Sequence, residues 1–195
     1  MTAPPPPLRF TYDDAEAAYD RCKFNCGPAA LCAALGMTIV EFEGLSSAEE
    51  FKRKGYTNPT LMQRLLKDAR AVNPKVDWVT RVAGERTDLW LPAFGLARIQ
   101  WGGPWTKPGV PMAARYRKTH WVATYADPAL DRHQGPLIGY HVFDVNALGA
   151  TRTVLGIPGW IRLEEWAVHL VSRLLEGYPR ADGSWWVTHA IEVKR

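Results

Sequence analysis

Cys26 is followed by Gly27 and Pro28 and then by a run of small helix formers, in the stretch CKFNCGPAALCAALG from Cys22 to Gly36. A cysteine kept for packing lies inside an apolar face. Cys26 instead stands where a helix begins, and there unpaired amides and the helix dipole favour negative charge, a thiolate included. A thiol nucleophile also needs a base. Of the five histidines, His120, His141 and His189 lie in strand-like or aromatic surroundings. In THWVATY, His120, Val122 and Thr124 share one face. In GYHVFDVN, Tyr140, Val142, Asp144 and Asn146 share a face, while His141 joins Phe143 and Val145 on the other. An antiparallel hairpin with Tyr125 opposite Gly139 puts His120 opposite Asp144. A carboxylate there would fix the imidazole tautomer and stabilise its charged form. The register is assumed, and a slip of one residue would separate the pair.

Two rivals stay open. Asn146 is the alternative orienting residue. His189, on the strand-like VTHAIEV, is the alternative base, but only Glu192 follows it, on the opposite face. Cys22 and Cys32 read as packing thiols. Three cysteines, all between positions 22 and 32, make no disulfide framework. With a histidine they would be a zinc set, but they contain no close Cys-x-x-Cys pair. No metal or cofactor is expected.

The elements that must position these residues are legible in part. A helix is expected from the cysteine through Leu35, with Gly36 as its stop. A second runs through SSAEEFKRKG, capped by Ser46 or Ser47 and ended by Gly55. A third starts at the Asn58 cap and Pro59 and carries Leu61, Met62, Leu65, Leu66, Ala69 and Val72 on one stripe. Three helices therefore fill the first half. In the second half GLARIQW, THWVATY, GYHVFDV and SWWVTHAIEV are expected strands, and LEEWAVHLVSRLLEG an amphipathic helix. Trp101 and Trp105, in or beside the Gly/Pro-rich loop that leads to His120, are candidates for a substrate groove. Helices first and strands later predict an α+β domain.

Composition narrows the function classes. The 195 residues are 47% hydrophobic and 23% charged, with a net charge of +4. That is an ordinary globular balance, sufficient for one domain at 11–195 behind a flexible Pro-rich arm at 1–10. The densest basic run, Arg115 to His120, reads as a solvated rim, and no nucleic-acid module accompanies it. No segment has the pattern of a signal peptide or a membrane span, so a cytoplasmic location is expected.

NCGPAALCAALG, THWVATY and HVFDVNA, in that order, resemble the papain-like cysteine peptidase superfamily. The similarity is greatest to the double-glycine leader peptidases that process bacteriocins, and phytochelatin synthases are more distant. The resemblance implies N-terminal helices, with the cysteine at a helix start, packed on an antiparallel sheet. It implies Cys26 as nucleophile, His120 as general base and acid, and Asp144 as orienting residue. The activity implied is hydrolysis of an amide or peptide bond in a peptide or protein substrate, without a cofactor. The same thioester passed to an amine would make the enzyme an acyltransferase.

In that superfamily a glutamine six residues before the nucleophile donates to the oxyanion, and here Asp20 holds the position. The expectation is that Asn25, Lys23 or another group donates instead, or that Asp20 is buried and protonated or turned away. GYTNPTLMQRLL, GLARIQWGGPW, FDVNALG and GWIRLEEW also resemble small uncharacterised phage and prophage proteins. That implies a bacterial or phage-infected cell and, as an alternative function, a non-catalytic protein that binds a host protein.

Overall fold

The computed structural model describes residues 5–82, 91–115, 118–127, 139–147 and 159–194. Five helices come first: α1 (Tyr12–Cys22), α2 (Cys26–Leu35), α3 (Ile39–Glu43), α4 (Ala48–Lys54) and α5 (Pro59–Val72). Strands β1 (Asp77–Val82) and β2 (Phe94–Trp101), the short α6 (Met112–Arg115), β3 (Thr119–Ala126), β4 (Tyr140–Phe143) and β5 (Trp160–Arg162) follow. The chain closes with α7 (Leu163–Gly177) and β6 (Trp185–Lys194). The architecture is α+β.

The strands form one six-stranded antiparallel sheet in the order β1-β6-β2-β3-β4-β5. Strand alternation divides its side chains between two cores. Leu96, Trp121, Ala123, Tyr125, Phe143, Trp160 and Ile191 pack with α1–α5. Ala97, Ile99, Trp101, Val122, Val142, Val187 and Ala190 pack with Leu163 and Trp166 of α7. The sheet is thus the middle layer. Within the helical layer α2 lies closest to β3. Its residues Gly27 to Ala34 are all buried, and a helix apolar on every side must be a central one.

Local sequence explains the helix ends. Thr11 and Asp14 form a capping box on α1, and Asn58 caps α5 with Pro59 in its first turn. Gly36 and Gly55 close α2 and α4 in the left-handed conformation.

Among the described residues the first half holds five helices instead of the expected three. The stripe of α1 is only Ala15, Ala18 and Cys22, too little apolar surface to register as periodicity. The α3 helix is five residues long. Strands β1 and β5 were also not anticipated; β1 is exposed along four of its six residues. Of the Pro-rich arm expected at 1–10, residues 1–4 lie outside the described residues; in 5–10, Pro5 is buried and Phe10 packs edge-on against Phe24 and Phe143. Among the described residues no helix is long and apolar enough to cross a membrane.

Candidate active site

Lys23 ends α1 in the left-handed conformation, and three residues later Cys26 opens α2. Asn25 is the N-cap; its Oδ1 accepts from the Gly27 amide at 3.3 Å, and its Nδ2 donates to the Gly55 carbonyl at 3.0 Å. Such a cap is worth about 1 kcal/mol. It also fixes the rotation of the first turn, and with it the direction of Cys26. The Cys26 amide belongs to the set that a helix leaves without an internal acceptor. Cys26 packs against the helical core and keeps part of its surface open to solvent.

His120 enters at the start of β3. The strand's entry is fixed by the Lys118 carbonyl, which accepts from the Trp101 amide at 3.0 Å and from Gln100 Nε2 at 3.1 Å. The imidazole is buried, stacked on Trp101 with ring centroids 6.5 Å apart, and its Nε2 pairs with Asp144 Oδ1 at 2.8 Å. That leaves Nδ1 to exchange a proton with Cys26.

The hairpin that joins His120 to Asp144 has a different register from the one expected. Tyr125 faces His141, not Gly139, and Thr124 faces Val142. The displacement is two residues, the period of a strand, so every side chain keeps its face. The β4 strand ends at Phe143 and the chain turns into a 3-10 turn at Val145–Ala147. Asp144 stands at this corner and reaches back diagonally to His120. The Asn146 amide donates to Asp144 Oδ1 and the Trp166 indole to Oδ2, each at 2.9 Å.

The three groups polarise one another. Burial pushes the Cys26 thiol up, but the charge and hydrogen bond of His120 and the Trp121 amide outweigh it, and the thiol falls below its ordinary value. Burial pushes His120 down, while Asp144 and Cys26 raise it well above the usual imidazole range. Burial pushes Asp144 up, and His120, Trp166 and Asn146 hold it below the usual carboxylate range. The directions agree on a thiolate and an imidazolium, the ionised form of a nucleophile with its acid.

The remaining expected residues separate. Asp20 lies exposed on α1, not buried beside the thiolate. Lys23 is exposed, with its ammonium over the Tyr19 ring. Asn25 is committed to its cap and to Gly55. The Asn146 side chain is exposed and only its backbone serves Asp144. Trp101 is buried on His120 and does not line an open groove; Trp105 is half-buried, donating Nε1 to the Trp101 carbonyl at 2.8 Å and meeting Tyr178 edge-on. In the basic run, Arg115 donates to the Val110 carbonyl and Lys118 lies 4.0 Å from the Tyr178 ring centroid; Tyr116 and Arg117 lie outside the described residues.

His189, the rival base, stands on the helical face of the sheet opposite Arg98, and it is His120 whose charge and hydrogen bond act on Cys26. Cys22 and Cys32 are buried, and burial raises both thiols. Among the described residues no group of three or more His, Cys, Asp or Glu is arranged to hold a metal.

Sequence reasoning missed Trp166 and Thr57. Trp166 was legible as part of the buried stripe of α7, but nothing in its position announces Asp144 as partner. Thr57 lies in the turn between α4 and α5. Its carbonyl accepts from Trp121 Nε1 at 2.8 Å, and its Oγ1 lies 2.2 Å from where a Cβ on residue 27 would stand. Only glycine fits after Cys26.

No family model, curated protein or solved structure matches the chain.

Proposed function

We propose that the chain is a papain-like thiol hydrolase that cleaves an amide or peptide bond, with Cys26 as nucleophile, His120 as base and acid and Asp144 as orienting residue. The observation that carries this reading is the polarised Cys26–His120–Asp144 chain at the start of a buried helix. The Cys26 thiolate attacks the carbonyl carbon, and His120 gives its proton to the leaving amine. A water molecule, activated by the then neutral His120, hydrolyses the thioester. Three free thiols suit a reducing compartment, so we place the protein in the cytoplasm.

Brief iodoacetamide treatment at neutral pH, with the modified site located by mass spectrometry, tests the reading. Cys26 is expected to be alkylated well before Cys22 and Cys32, whose thiols are buried and raised. Equal labelling of the three, or none at Cys26, would overturn the assignment.

A further inference from the structure

Attack on a carbonyl moves its π pair onto oxygen, and a site for that oxyanion needs hydrogen-bond donors where the charge appears. The Cys26 amide is one, free in the first turn of a ten-residue helix. A second donor is needed beside it, and the sequence candidates do not provide it. Asp20 is exposed. The Asn25 amide is bound to the Gly55 carbonyl.

One buried hydroxyl beside this helix end has no partner. Thr57 is 8% exposed, and its Oγ1 makes no hydrogen bond. An unsatisfied buried hydroxyl is uncommon and calls for a reason. Its placement supplies one. The segment Gly55–Thr57 is tied at both ends to the neighbours of the reacting residues: Asn25 donates to the Gly55 carbonyl, and Trp121 donates to the Thr57 carbonyl. These two bonds hold Oγ1 against Gly27, the residue that follows Cys26. The absence of a side chain at position 27 is what lets the hydroxyl approach the helix end.

We propose that the Thr57 hydroxyl is the second oxyanion donor of the site, acting with the Cys26 amide; this rests on the thiol hydrolase reading above. In the step concerned, the Cys26 sulfur lone pair forms the C–S bond and the carbonyl π pair becomes a lone pair on oxygen. The Thr57 O–H and the Cys26 N–H donate to it. The pair then returns to re-form C=O as the bond to the leaving group breaks, and an amine leaving group takes its proton from His120. The hydroxyl proton turns about the Cβ–Oγ1 bond, so the donor is aimed without moving the backbone. Alkylation by iodoacetamide displaces iodide at a saturated carbon and forms no oxyanion, so it should not depend on Thr57.

Full-length protein is treated with p-nitrophenyl acetate, following release of p-nitrophenolate and acetylation of Cys26 by mass spectrometry, and separately with iodoacetamide. Thr57→Val keeps the shape and deletes the hydroxyl; it is expected to slow acetylation by about 100-fold, the loss typical of one oxyanion donor, with alkylation unchanged. Thr57→Ser is expected to restore most of the acetylation rate. Unchanged acetylation in Thr57→Val overturns the proposal, and so does a parallel loss of both reactions, which would make Thr57 a packing residue. A wild-type Cys26 that neither alkylates selectively nor acetylates refutes the underlying hydrolase reading instead.

Discussion

His120 and His189 project from neighbouring parts of one sheet into opposite chemistry. On β2, Ile99 lies opposite His120 and the preceding Arg98 lies opposite His189, so the two imidazoles emerge on opposite faces. On the α7 side His120 meets Asp144 and is raised well above the ordinary imidazole value. On the helical side His189 is pushed down to about 4 by burial and by the Arg98 guanidinium. Its Nδ1 lies 3.2 Å from the Thr188 hydroxyl. Residue type and strand setting are shared. The sign of the nearest charge differs, and that decides which histidine can hold a proton at neutral pH.

Removing the charge on the His120 side breaks the contrast most strongly. Asp144→Ala deprives the imidazolium of its counter-ion and its fixed tautomer, and acylation of Cys26 should fall by up to ~10⁴-fold, the scale of losing an orienting acid. Asn146→Ala keeps the backbone amide that serves Asp144 and removes only an exposed side chain, so its rate should stay near wild type. Acetylation by p-nitrophenyl acetate compares the two; the reverse order would return the orienting role to Asn146.

A smaller effect follows from Trp166. Trp166→Phe preserves a buried ring against Trp185 but leaves Asp144 Oδ2 without its donor. An unsatisfied buried acceptor costs about 1–3 kcal/mol, so thermal or urea unfolding should register a loss of that order. The Trp166 donor also draws on the Asp144 charge, so without it the ionised carboxylate is more basic and holds the His120 proton more tightly. The pH at which Cys26 becomes alkylated should therefore move downward in Trp166→Phe, a change that a purely structural tryptophan would not produce.

These effects bear on what the sequence could and could not convey. The period of a strand is two, so THWVATY and GYHVFDVN assign His120 and Asp144 to one face whatever the even register, and the observed shift by two residues kept them together. The break after Phe143 that lets Asp144 reach diagonally was not legible, because it depends on where pairing stops. The stripe of α5 was strong enough to read, whereas α1 offers two alanines and a cysteine and was invisible. The role of Trp166 depends on the packing of α7 across the sheet, a contact 22 residues from Asp144 in sequence. The exposure of Asp20 depends on how α1 turns about its axis, which a spacing borrowed from another family does not carry.

The other half of the comparison predicts a modest, signed dependence of stability on pH. The ordinary imidazole value is 6.5, and folding lowers His189 to about 4. Between those values the unfolded chain binds a proton that the folded chain does not, so stability is full above 6.5 and is lost as pH falls toward 4. Burial lowers His141 as well, which adds a term of the same sign. His120 behaves oppositely: its folded value is raised, so its contribution is fully present below 6.5 and declines only as pH rises through that higher value. Carboxylates held low by their partners, such as Asp144 and Asp77, begin to lose stability near and below their ordinary value of 3.8. Glu41, Glu43 and Glu50 are likewise held below their ordinary value of 4.5, so among the described residues the upper part of the window, between 6.5 and 4.5, reads His189 and His141. The melting temperature of the wild type should fall across it, and His189→Gln should flatten the slope, leaving the part due to His141. Equal slopes in the two proteins would mean that burial and the Arg98 guanidinium do not hold His189 neutral, and that the two faces of the sheet are less opposed than their contacts indicate.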